Sequence, residues 1–136
     1  MRCRAVNSSI YFTSISELDG VMKLTKRNRA YLRKHAKYLY ALTDESKFDM
    51  SSYSTCALGY AAVVFPRIAK RNDSWWAFCI DVFGLTRFSE EWDFLFSSRW
   101  QSRDNTTSGA ADRIIYFLKH GVPVDRWNPE VYRGAS

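Results

Sequence analysis

Cys56 has the clearest nucleophilic potential in the chain. It heads the apolar run that ends at Pro66, and a thiol at a helix N-terminus shifts towards thiolate. His35 and His120, the two histidines of the sequence, are the bases available to a Cys–His pair. Each of the three also has a plain structural role. A free Cys in an apolar run packs as a small hydrophobe, His35 falls mid-stripe among Leu and Tyr, and His120 is a cation at a helix C-terminus. Asp49, Asp81, Asp93 and Asp104 are scattered through turn, cap and surface positions without DxD or ExxH spacing. Cys3, Cys56 and Cys79 form neither a CxxC nor a Cys/His group at zinc-ligand spacing. There is no Walker loop and no GxGxxG. These patterns point to a protein that is not an enzyme and has no metal or cofactor.

Charge carries a stronger signal. The formal net charge is +6. Seven bases, Lys23, Lys26, Arg27, Arg29, Arg33, Lys34 and Lys37, lie in one stretch with no acid. The other 13 bases balance against 14 acids, so this stretch holds the whole excess. A second, smaller cluster is Arg67, Lys70 and Arg71. Such a face is either solvated surface or an electrostatic contact for nucleic acid or an acidic protein. No Asn or Gln sits mid-face to read bases, so contact with nucleic acid would go to the backbone and lose affinity steeply with salt.

Aromatic side chains are the third signal, with five Trp, eight Tyr and nine Phe in 136 residues. Trp, Tyr and Arg are the residue types enriched at binding hot spots. Arg87, Arg99, Trp100, Arg103 and Trp127 are the candidates for such contacts. Trp100 and Trp127 fall outside the strongest helical periods and are expected at the surface.

The elements that must position these groups read as helices. The first starts at Thr25 or Asn28 and ends near Leu42, with Tyr31, Leu32, His35, Ala36, Tyr38, Leu39 and Leu42 on the face opposite the bases. The stretch Phe48–Pro66 opens on a polar turn and becomes a central helix. Its small residues Ala57, Gly59, Ala61 and Ala62 allow close approach by neighbouring helices, and Pro66 stops it. Arg67 to Asn72 is expected as a loop. A third helix covers WWAFCIDVF behind Asp73 or Ser74 and stops at Gly84. A short fourth opens at Ser89 with Trp92, Leu95 and Phe96 inward. Arg99 to Asn105 reads as a charged loop. The last helix runs from Thr106 or Thr107 to His120 on the stripe Ala110, Ala111, Ile114, Phe117 and Leu118, closed by Gly121 and Pro123. The tail from Asp125, with Trp127 and Tyr132, is expected to pack back before fraying.

The expectation is therefore an all-α single domain of about five helices over residues 23–136. Residues 1–22 form an N-terminal arm, either disordered or an extension upstream of a start at Met22. No apolar run is long enough to span a bilayer. Without a secretory segment, the unpaired cysteines imply a reduced, cytoplasmic setting.

Several blocks occur in a telling order: Phe48-Asp49-Met50 with Tyr53, Cys56-Ala57-Leu58-Gly59 with Ala61-Ala62, and Phe83-Gly84-Leu85. Trp92-Asp93 with Leu95-Phe96 and Trp100 come next. Asp104-Asn105-Thr106, Ala110-Ala111, Arg113-Ile114 and His120-Gly121-Val122-Pro123 complete them. From about Leu24 to Trp127 the chain resembles a family of small uncharacterised phage and mobile-element proteins. Tyr60 departs from the family pattern, which has His after the Gly. The resemblance implies a small cytoplasmic helical protein with an accessory role, of which inhibition of a host defence system is a prominent class.

The expected function is non-enzymatic binding of a host protein or ribonucleoprotein complex, such as a CRISPR–Cas assembly, which an anti-CRISPR protein would inhibit. The basic helix would steer the encounter, and the aromatic and Arg residues would supply short-range affinity. The alternatives are a non-specific nucleic-acid-binding accessory protein using the basic helix on phosphates, and a homodimeric structural module. No membrane role is expected.

Overall fold

The computed structural model describes residues 24–135, so the arm 1–22, Lys23 and Cys3 lie outside the described residues. The described residues form seven α-helices and no strand: α1 Lys26–Ala41, α2 Ala57–Val64, α3 Pro66–Lys70, α4 Trp75–Phe83, α5 Glu90–Phe96, α6 Thr107–His120 and α7 Pro129–Tyr132. A 3-10 turn, Ser98–Ser102, sits between α5 and α6. The all-α architecture is as expected from the sequence, and none of these helices is long and apolar enough to cross a membrane.

Local chemistry starts each helix. Thr25 caps α1, its hydroxyl accepting from the Asn28 amide at 3.0 Å while the Asn28 side chain accepts from the Thr25 amide at 3.2 Å. The two residues read as rival caps are thus the two halves of one capping box. Ser74, Ser89 and Thr106 cap α4, α5 and α6 singly, each hydroxyl accepting from the amide three residues on. Gly84 ends α4 at φ 74°, in the left-handed region open to a residue without a Cβ.

The long helices α1 and α6 lie against each other over the most extensive contact in the fold. Leu32, His35, Ala36 and Leu39 of α1 are buried with Ala110, Ala111, Ile114 and Phe117 of α6. A relay of rings ties the α2–α3 junction, α4 and α5 to α1. Tyr31 meets Phe65 at 4.8 Å, Phe65 meets Phe83 at 6.0 Å, and Phe83 meets Phe96 at 5.7 Å. Aromatic pairs at such spacings contribute about 0.5–1.5 kcal/mol each beyond burial.

Three expectations are corrected. Arg67 to Lys70 is not a loop, although Arg71 and Asn72 are outside the helix: α3 begins at Pro66, because proline lacks an amide hydrogen and has a helical φ, which suits the first position of a helix. Pro66 therefore ends α2 and starts α3. The Arg99–Asn105 region is likewise partly ordered as the 3-10 turn. That turn buries Trp100 completely (0 % exposed), against the expectation of surface exposure. Its indole Nε1 donates to the Phe94 carbonyl at 2.8 Å, so the ring's polar end is satisfied inside.

Gly59 of α2 also acts differently from expectation. A Cβ on Gly59 would stand 2.4 Å from the Tyr53 carbonyl oxygen. The close approach comes from the backbone of the preceding polar turn, not from a neighbouring helix. Gly59 thereby holds Tyr53 where one wall of a cleft is built.

Candidate functional site: an aromatic cleft around Arg87

The turn Thr86-Arg87-Phe88-Ser89 joins the end of α4 to α5. The Ser89 amide and hydroxyl both donate to the Thr86 carbonyl, at 3.2 and 2.7 Å. This closes the turn with Phe88 at φ 67°, among the described non-glycine residues the only positive φ. A bulky residue in that region costs about 1–3 kcal/mol and persists where its surroundings fix it. The Phe88 ring is nonetheless 67 % exposed, as is Tyr53.

Between these rings opens a cleft of about 320 Å³. Its walls come from the polar turn (Met50, Tyr53), the start of α2 (Cys56, Leu58), α4 (Trp75, Trp76), the Arg87 turn, and α5 (Trp92, Asp93, Phe96). The Arg87 guanidinium carbon lies 3.7 Å from the Trp76 ring centre and 4.3 Å from that of Phe88. Trp92 meets Trp76 at 5.8 Å and Phe88 at 5.7 Å, both edge to face. Arg87 forms no hydrogen bond or ion pair with the described residues. The Trp92 Nε1 is buried and also has no acceptor among the described residues.

The other aromatic and Arg candidates lie elsewhere. Arg99 sits over Trp127 at 4.6 Å, and Arg103 is exposed. Trp100 belongs to a buried cluster that the sequence reading missed. Arg113, fully buried on α6, stacks 4.1 Å from the Trp100 ring centre and donates to the Tyr132 hydroxyl at 2.8 Å. That hydroxyl donates to Asp104 at 2.6 Å, and the Arg113–Asp104 ion pair spans 3.6 Å. Burial lowers the Arg113 pKa, opposed by the Tyr132 hydroxyl that it bonds and by the Asp104 carboxylate, while burial raises that of Tyr132. Asp104 precedes α6, so no helical period links it to Arg113.

The basic clusters are partly engaged within the fold. Arg71 makes a bidentate pair with Asp81 at 2.9 and 3.0 Å, and this pairing foremost holds the Asp81 carboxyl below its usual range. Arg27 donates to the Asp81 carbonyl at 3.2 Å, and Arg29 to the Leu118 carbonyl at 2.7 Å near the end of α6. Lys26, Arg33, Lys34, Lys37, Arg67 and Lys70 remain exposed. Arg33, Lys34 and Lys37 border a shallow groove of about 460 Å³ between α1 and α6, floored by Ala30, Ala36 and Ile115.

The cysteine and histidine candidates have other partners. Cys56 caps α2, its sulfur accepting from the Gly59 amide at 3.3 Å, and burial pushes its thiol up rather than towards thiolate. His35 bonds through Nε2 to the Ala57 carbonyl at 2.7 Å, which fixes that nitrogen as the donor. Burial lowers its pKa to about 4. His120 is exposed at the end of α6 against Tyr116. Among the described residues no group of three or more His, Cys, Asp or Glu side chains converges.

Comparison with protein-family models, curated proteins and solved structures finds no match.

Proposed function

We propose that this is a non-enzymatic protein-binding accessory protein of phage or mobile-element type, and that the Arg87 cleft is its docking site. One observation supports this above the rest: an arginine stacked on Trp76 with no acceptor among the described residues, in an open cleft rimmed by two largely exposed aromatics. Trp, Tyr and Arg anchors in a concave site are the composition of a binding hot spot. The exposed cations of α1 and α3 would steer the encounter towards an acidic surface. The resemblance supplies the partner class, a host defence complex such as CRISPR–Cas, which binding would inhibit.

A second reading is a nucleic-acid-binding accessory protein. It is favoured by the exposed cations Lys26, Arg33, Lys34, Lys37, Arg67 and Lys70. Affinity capture from cells carrying the defence complex, with and without nuclease, separates the two. The protein-binding reading expects a nuclease-resistant protein lost with Trp76→Ala. Recovery of nucleic acid alone, released by moderate salt and unaffected by Trp76→Ala, would replace it with the second.

A further inference from the structure

We propose that the Arg87 cleft recognises one carboxylate carried beside an apolar side chain on a partner's peptide segment. The inference rests on the protein-binding reading and adds its ligand chemistry.

Three features of the cleft lead there. The first is the guanidinium itself. Trp76 at 3.7 Å lies against a face of Arg87, with Phe88 at 4.3 Å. Aromatic stacking engages the faces of a guanidinium and leaves its N–H edge, the fork that matches a carboxylate bidentately. That edge has no acceptor among the described residues. The second is the Trp92 ring, which lines the cleft and meets Trp76 and Phe88 edge to face at 5.8 and 5.7 Å. Such rings offer a large apolar surface to a side chain entering beside the guanidinium. The third is the wall: Leu58 and Phe96 are buried hydrophobics that line the cleft beside the Trp rings. At about 320 Å³ the space is at the small end for ligand sites, suited to one or two side chains.

Charge favours a peptide over a nucleic-acid strand. Arg87 is the single base on the cleft wall, and Asp93 is its single acid. A strand requires a track of cations along its phosphates. One cation matches a single negative charge, and the acid nearby disfavours a more highly charged ligand. Asp93 forms no ion pair with Arg87, so among the described residues nothing neutralises the guanidinium. The strained Phe88 turn carries the ring that abuts Arg87 at the mouth.

The test uses acetyl-Glu-Leu-Phe-amide and acetyl-Gln-Leu-Phe-amide as probes, with oligothymidylate as a third. The readout is the indole N–H resonances of Trp76 and Trp92. The Glu peptide is expected to shift both saturably, and the Gln peptide to bind about tenfold more weakly, equivalent to about 1.4 kcal/mol. Arg87→Gln should erase the difference between the two peptides. Equal binding of both peptides, or shifts with oligothymidylate alone, would overturn the proposal. If the peptides bind equally while capture of a protein still requires Trp76, the ligand chemistry fails and the protein-binding reading stands. If capture is also indifferent to Trp76, both fail.

Discussion

Two arginines in this molecule sit on tryptophan faces at almost the same distance and do different things. Arg113 lies 4.1 Å from Trp100, fully buried, and its Nη1 bonds Tyr132 and faces Asp104, while its Nε and Nη2 are buried without a partner among the described residues. Arg87 lies 3.7 Å from Trp76, exposed, with no acceptor among the described residues. The buried pair has its charge answered inside by an acid and its indole by a carbonyl. The exposed pair has the same stacking and leaves the hydrogen-bonding edge open. Stacking alone does not distinguish structure from recognition. Which partners the guanidinium edge has does.

Arg113→Met should have the largest effect on stability. It leaves Asp104 buried without a cation, a change that typically costs about 3–5 kcal/mol. Urea unfolding should show this, and adding Asp104→Asn should restore part of it. A loss under about 1 kcal/mol would mean that Arg113 does not answer the Asp104 charge as described.

His35 sharpens the comparison because it is a buried base without an acid. Its folded-state pKa, about 4, lies below the unfolded value of 6.5. The unfolded chain therefore binds more protons between these values. The stability from neutral His35 is fully present above pH 6.5 and is lost as pH falls towards 4, in total roughly 3 kcal/mol. Urea midpoints at pH 7 and 4.5 should differ accordingly, and less so in His35→Gln. Equal pH dependence in the two proteins would contradict this.

Phe88→Gly tests the open side. Glycine accepts φ 67° without strain, so stability should hold or rise by up to about 1 kcal/mol while partner capture falls. A marked drop in melting temperature would make Phe88 a structural residue. Arg87→Gln should change stability least, within about 0.5 kcal/mol, because its side chain is at the surface.

The helices were legible where periodicity and caps agreed. The stripe of α6 is buried as read, and the Ser and Thr caps sit where expected. Pro66 misled because proline signals both the end of one helix and the first residue of the next. Trp100 misled because a 3-10 turn has too few residues for a period, so its burial depends on Tyr132 and Trp127, about thirty residues on, at 5.5 and 5.1 Å. Arg87 was picked out by residue type alone. Its neighbours Tyr53 and Trp76 were not, since the cleft joins a polar turn to the start of α4 through the contact that Gly59 permits. The basic stretch was visible as charge. Its division into Arg27 and Arg29, bonded within the fold, and Arg33 and Lys37, exposed, depends on where Asp81 and Leu118 come to lie.

The most direct test of the central claim is nuclease-treated affinity capture with wild type and Arg87→Gln at matched stability. A partner protein should be retained by wild type and lost by Arg87→Gln, with both unfolding at the same urea concentration. Equal recovery by the two would show that the open edge of Arg87 is ordinary surface.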